Sequence, residues 1–340
     1  MNPKKLLKTV LSYTLKYGVP LLVTLLLCNL LFKGVDFSEM MHIISTRCDF
    51  TYIGIALVVA VLSHIVRAMR WRIQLKALGI DAPLFPLVLS IFGTYAVNLV
   101  LPRLGEVWRT GFIAKRQDAP FSTVFGSMVA DRLADTLTVL LLTVVTFILA
   151  SHELGKYFAD NSSTLENIYT VATSPWLWLG VALAVGAAWW FLRRPTENRL
   201  IGKLQKFLKG LWQGFAVVAT MRGKGYWLLL TFCIWGCYFF QLYIAFFAFD
   251  FTEAIVETYG IVAVMVTFVL SSLAMGVPSN GGIGPWQWSV IVALAMYGLD
   301  KEPATAFANL VMGCQTLLLI ALGLFTFICI ASSKSRKARS

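Results

Sequence analysis

Six ionisable residues stand close together in otherwise apolar sequence: Arg103, Glu106, Arg109, Asp131, Arg132 and Asp135. The first three lie in "NLVLPRLGEVWR" and the last three in "VADRLADTL". An ionised group at the centre of a bilayer costs at least about 2.5–3.5 kcal/mol on insertion scales, so such residues need partners or water. Arg103 and Glu106 are three apart and can pair on a helix, as can Arg132 and Asp135. Arg109 is then in excess, and its planar guanidinium suits a phosphate. Asp131 and Asp135 lie four apart on one helix face and repel each other. A cation must offset them, either a hairpin arginine or a substrate amine. They can also carry protons. Two readings follow: a cluster that docks one segment on another, or a site that meets a polar head group. Arg67 and Arg70, at the end of an apolar run, read as interfacial anchors.

A second polar group interrupts the apolar sequence near the end of the chain. "VPSNGGIGPWQW", residues 277–288, supplies Ser279, Asn280, Gly281, Gly282, Gly284 and Gln287. Its flanks are apolar arms at 260–277 and 286–298. The second arm would rise only about 20 Å as a helix, short of the ~30 Å hydrocarbon core. A re-entrant hairpin with its tip at these glycines resolves the mismatch. Glycine permits the sharp turn and a close backbone approach, proline ends the inbound arm, and the polar side chains satisfy freed backbone groups or meet a head group.

The elements holding these residues are membrane spans. The chain is 58% hydrophobic and 14% charged, against about 25% charge in soluble domains. The net charge of +12 reads as cytoplasmic-loop lysine and arginine rather than a nucleic-acid surface. We expect an all-α polytopic protein of about six full spans plus two re-entrant hairpins, in one domain over 1–340. The spans fall near 17–33, 51–69, 122–150, 175–192, 226–249 and 303–331. The basic, apolar N-terminus lacks a small-x-small site and reads as an uncleaved first span. An apolar stretch at 84–101 precedes "LPRLGEVWRTGFIAKR"; a full crossing would put its arginines and lysines outside, so it reads as the first hairpin. Residues 195–224 read as a cytoplasmic amphipathic linker on anionic inner-leaflet lipids. Both termini fall on the cytoplasmic side of a cell membrane, read as a bacterial inner membrane.

Two halves emerge, about 51–150 and 226–331. Each has a span, a hairpin and a span, in opposite orientations. Thr51 precedes Pro102 by the same interval that separates Trp227 from Pro278. Inverted halves with broken helices at matching places mark transporters. Asn98, Gln241, Asn309 and Gln315 read as interhelical hydrogen bonders.

The three motifs in order, "NLVLPRLGEVWR", "VADRLADTL" and "VPSNGGIGPWQW", resemble the lysylphosphatidylglycerol synthase transmembrane-region family, the flippase-like domain of multiple peptide resistance factors. The similarity runs over about 10–330, without the soluble synthase domain. The resemblance implies a lipid-translocating domain with two inverted halves and a central cavity. The family often carries an acidic residue after the second set of glycines; here Pro285, Trp286 and Gln287 stand there.

The expected function is therefore flippase-like movement of an anionic or aminoacylated phospholipid, or a polyprenyl-phosphate lipid, between leaflets. A membrane-embedded lipid-modifying enzyme, or a non-transporting lipid-binding partner of a synthase, is the alternative. Only three histidines occur, His42, His64 and His152, at scattered positions. No metal-ligand spacing, nucleophile elbow or GxxxxGK[ST] loop appears, so we expect no enzyme, metal, cofactor or ATP drive. The six cysteines read as small buried hydrophobes. Expected partners are membrane lipids, with a homo-oligomer left open and no nucleic acid.

Overall fold

The computed structural model describes residues 37–101, 103–151, 179, 183, 199–277 and 279–337. The expected span at 17–33 and nearly all of that at 175–192 lie outside the described residues. Among the described residues the chain is helical, without strands. The helices are α1 (Phe37–Arg47), α2 (Phe50–Ala77), α3 (Leu84–Val100), α4 (Leu104–Arg116), α5 (Phe121–Leu149), α6 (Arg199–Thr220), α7 (Lys224–Phe246), α8 (Asp250–Tyr259), α9 (Ile261–Ala274), α10 (Pro285–Ala295) and α11 (Lys301–Lys337).

Four of them, α2, α5, α7 and α11, are long and apolar enough to cross a membrane. The protein is an all-α polytopic membrane protein. Local chemistry sets several helix starts. Asp49 accepts the Thr51 N–H at 2.9 Å and caps α2. Pro285 begins α10, where a missing N–H costs nothing.

Helices α3 and α4 form a tight antiparallel hairpin. Small residues let the arms meet. A side chain at Gly93 would strike the Trp108 ring, and one at Gly105 would strike the Thr94 carbonyl and Asn98. The Asn98 side chain accepts the Gly105 N–H at 2.8 Å and donates to Glu106 at 3.2 Å. Helices α9 and α10 make the second hairpin. Their 14 and 11 residues rise only about 21 and 16 Å, too little to cross. The turn between them has positive φ at Gly281 (63°), Gly282 (87°) and Gly284 (95°).

Two elements were not expected: α1, which lies between the spans expected at 17–33 and 51–69, and α8. α8 precedes α9, and the two meet at 112°. The bend falls at Gly260, whose φ of 65° and ψ of −157° lie in a region that only glycine occupies readily.

The packing of the elements repeats. α2 lies against α7. α3 packs on α4 as α9 packs on α10, α2 on α3 as α7 on α9, and α4 on α5 as α10 on α11. α11 packs on α3 as α5 packs on α9. Exchanging α2 with α7, α3 with α9, α4 with α10 and α5 with α11 maps the α2–α7 contact onto itself and each of the others onto another.

The amphipathic segment forms α6, which packs along the first half of α5. Gly210 lies against Ser122, and Gly214 against the Thr123 carbonyl and Ser127 N–H. At the other end of the bundle, Arg47 pairs with Asp250 at 2.7 Å, and the Asp49 N–H donates to the Ala248 carbonyl at 2.8 Å.

Candidate functional site: a buried charge cluster behind two facing hairpin tips

Arg67, Arg70, Trp71 and Gln74 share one face of α2, and all four are buried. Ser127, Asp131 and Asp135 share one face of α5 and are buried too. The two faces meet. Arg70 Nη2 lies 2.6 Å from Asp131 Oδ1 and 2.8 Å from Asp135 Oδ1. Arg67 Nη1 lies 2.7 Å from Asp135 Oδ2 and 3.3 Å from Asp131 Oδ2. Each aspartate thus meets both arginines. Arg70 also donates to Thr231 Oγ1 at 3.2 Å, and Arg67 to the Tyr238 hydroxyl at 3.2 Å, both on α7. Trp71 Nε1 donates to Ser127 at 3.0 Å.

This corrects two expectations. Arg67 and Arg70 are not interfacial anchors; they are 2% and 0% exposed. The cations that offset Asp131 and Asp135 come chiefly from α2, rather than from the hairpin or a substrate amine. The reason is geometric. Arginines three apart on α2 can each reach both carboxylates four apart on α5, and burial rewards that full pairing.

Arg109, on α4, is the third arginine here. Its side chain is fully buried and sits 3.7 Å from Asp131 Oδ2 and 4.6 Å from the Trp71 ring centroid. Among the described residues, none of its three guanidinium nitrogens makes a hydrogen bond. Three arginines against two aspartates leave one positive charge in the cluster, and Arg109 is the least satisfied member. The excess at Arg109 expected from sequence is present, although its cause differs: Arg103 does not pair with Glu106.

Glu106 pairs instead with Arg132 at 2.8 Å, across α4 and α5, and both side chains keep partial exposure. Arg132 comes no closer than 3.9 Å to Asp135. Arg103 has φ 62°, is exposed, and donates from Nη2 to the Gly276 carbonyl at 2.9 Å. That bond joins the first hairpin tip to the second. A side chain at Gly281 would meet Leu99 Cδ2 at 2.6 Å, so the tips touch there as well.

In the second hairpin, Gln287 Oε1 accepts the Gly284 N–H at 2.8 Å, capping α10, and its Nε2 donates to Asn309 on α11. Ser279 donates to the Val277 carbonyl at 3.4 Å, and Asn280 Oδ1 is buried without a hydrogen bond among the described residues. Gly282 packs against Met275 and Met312. Gln241 donates to Gln315 at 2.8 Å between α7 and α11. Each hairpin is tied to the next long helix by one polar pair, an ion pair from Glu106 to Arg132 in the first and a neutral amide bond from Gln287 to Asn309 in the second.

The structure therefore gathers Arg103, Glu106, Arg132, Gly281 and Gln287 near two facing tips, with Arg109, Asp131 and Asp135 buried behind the first. Sequence reasoning missed Arg67, Arg70, Thr231 and Tyr238. The signal for the arginines was the matched spacing, a basic pair three apart and an acidic pair four apart.

Long apolar helices joined by buried ion pairs, with short hairpins between them, define a polytopic membrane protein. The profile described as "Lysylphosphatidylglycerol synthase TM region" matches residues 17–323, and the chain belongs to that family. It is 26% identical over 132 residues to a UPF0104 membrane protein of Pyrococcus horikoshii, covering 38% of each chain. It is 31% identical over 120 residues to a glycosyltransferase of Haloferax volcanii, covering 35% of this chain and 19% of that one. A UPF0104 membrane protein of Methanothermobacter thermautotrophicus is 22% identical over 316 residues, 86% of this chain and 89% of its own. The chain thus spans well under two thirds of the first two relatives. No solved structure matches it.

Proposed function

We propose that this protein moves a lipid with an anionic or aminoacylated head group, or a polyprenyl-phosphate lipid, between membrane leaflets, and that it is not itself an enzyme. The observation that carries this reading is the meeting of two short hairpins through Arg103 and the Gly276 carbonyl. Irregular backbone at membrane depth is tolerated where protein buries it or where it lines a watery path. The repeating pattern of helix contacts supports two inverted halves, about 51–150 and 226–331, an arrangement used for alternating access. In this reading the head group passes between the tips, along Arg103, Glu106, Arg132, Ser279 and Asn280. Arg109 supplies the unneutralised positive charge behind them. Both termini face the cytoplasm of the cell membrane.

A second reading rests on the partial match to a glycosyltransferase. There the chain would bind a lipid and present it to a separate enzyme, without moving it across. Mass spectrometry of lipids that co-purify with the protein identifies the lipid class for both readings. Proteoliposomes loaded with that lipid then separate them, because only a transporter equilibrates it between leaflets.

A further inference from the structure

We infer that the two hairpin tips form one gate, that Arg103 is its latch, and that the second hairpin is the arm that moves. The inference rests on the transport reading, and it commits to which half moves and which stays.

The two hairpins are anchored differently. The first is tied to α5 by charge, through Glu106 to Arg132 at 2.8 Å and through Arg109 to Asp131 at 3.7 Å. Its arms are locked by close contacts at Gly93 and Gly105 and by Asn98, which bonds both the Gly105 N–H and Glu106. Moving it would separate partly buried opposite charges, which the membrane interior penalises.

The second hairpin has no ion pair among its described residues. Where the first uses Glu106 and Arg132, it uses two neutral amides, Gln287 and Asn309. Glycines also stand at the start of α9 and in the turn beyond its end. Gly260 makes the 112° bend from α8, and a side chain there would meet nothing within 4 Å, so the bend has room around it. Gly281, Gly282 and Gly284 turn the tip with positive φ. A 14-residue helix between two glycine joints is a lever, and hinge positions are those that absorb φ/ψ change.

The body of α9 packs on α5 and α7, with Ala263, Val264 and Val266 buried, but little joins its tip to the first hairpin. Leu99 touches Gly281, and one charge-assisted bond runs from Arg103 to the Gly276 carbonyl. Arg103 is exposed, and its backbone is left-handed, a conformation that few non-glycine residues hold without strain. The tip therefore spends backbone strain to aim this guanidinium at the opposite hairpin. Losing the bond leaves both hairpins folded and frees the tip of the one that has no ion pair among its described residues.

The test measures distances between spin labels in the full-length protein, with the six native cysteines replaced. One pair joins Met275 on the second tip to Leu137 on α5. The other joins Val107 on the first hairpin to the same Leu137. All three positions are exposed. Arg103→Asn is the diagnostic variant, because asparagine tolerates the left-handed backbone yet cannot span to Gly276. We expect a second, longer Met275–Leu137 distance in Arg103→Asn, a shift of roughly tenfold toward the open form. The Val107–Leu137 distance stays single. Arg103→Lys, which keeps a donor, shifts less. An unchanged Met275 pair overturns the latch, and a moving Val107 pair overturns the assignment of the arm. The readout needs no lipid movement. Distances that behave as expected in a protein that moves no lipid would keep the gate and remove the transport reading.

Discussion

Arg70 and Asp131 lie 2.6 Å apart, and neither side chain is reached by solvent. With Arg67 and Asp135 they make a closed set of four charges between α2 and α5 in which each acid meets each base. Removing one partner from a buried pair leaves an uncompensated charge, at a cost of about 3–5 kcal/mol. Asp131→Asn and Arg70→Met should therefore lower the thermal unfolding temperature in detergent sharply. Arg109→Met should lower it less, because Arg109 gives up no hydrogen bond. Equal losses in all three would mean that Arg109 shares fully in the docking cluster.

The glycines divide by their surroundings. Gly105 lies against the Thr94 carbonyl, which cannot step aside without breaking a helix, so Gly105→Ala should destabilise the first hairpin by about 1–3 kcal/mol. Gly282 combines a φ of 87° with Met275 and Met312 nearby. Gly282→Val should block lipid movement while the long helices persist by circular dichroism. Normal transport in Gly282→Val would make the segment an ordinary turn.

The Arg47–Asp250 pair is exposed, with side chains 43% and 65% accessible, so Arg47→Ala should cost under about 1 kcal/mol. The hydrogen bond from Arg47 holds the Asp250 carboxyl below the usual carboxylate range. A depressed acid stabilises the fold above its unfolded value, near 4, and loses that contribution as pH falls through the lower folded value. The stability gap between wild type and Arg47→Ala should therefore shrink on acidification from about pH 5 to about pH 3. A gap that widens would contradict the pairing.

Loop charges fix an expected topology. Single cysteines at 115 and 335 should react with an impermeant thiol reagent only from the cytoplasmic side, and one at 160 only from outside. External labelling at 115 would remove the first hairpin from the membrane account.

Much of the fold was readable because apolar length and loop charge are local properties. The expected arm at 84–101 corresponds to Leu84–Val100, and the span at 122–150 to Phe121–Leu149. α8 was hidden because "DFTEAIVETY" is short and polar, and its meaning lies in the bend at Gly260. The charged residues were legible as a group and misread as pairs. Positive-inside reasoning counts arginines near a span end and cannot tell that Arg67 and Arg70 point inward, which depends on where α5 packs. Arg103 and Glu106 satisfied the helical spacing rule, yet the chain turns left-handed at Arg103 and sends the two side chains to different partners. Contacts between tips far apart in sequence, such as Arg103 with Gly276, have no local signature at all.

The most direct measurement is leaflet-to-leaflet movement of labelled lipid in proteoliposomes, read with a membrane-impermeant quencher. The lipid used is the one identified as co-purifying with the protein. Wild type should expose the inner-leaflet label to the quencher. Arg109→Met, folded and inserted equally well, should not, because it removes the positive charge by which arginines outnumber aspartates among the described residues of the buried cluster. Arg109→Lys should rescue only in part, since lysine lacks the planar fork. Movement by Arg109→Met at the wild-type rate would make Arg109 a structural residue, and no movement by wild type would contradict the proposed function itself.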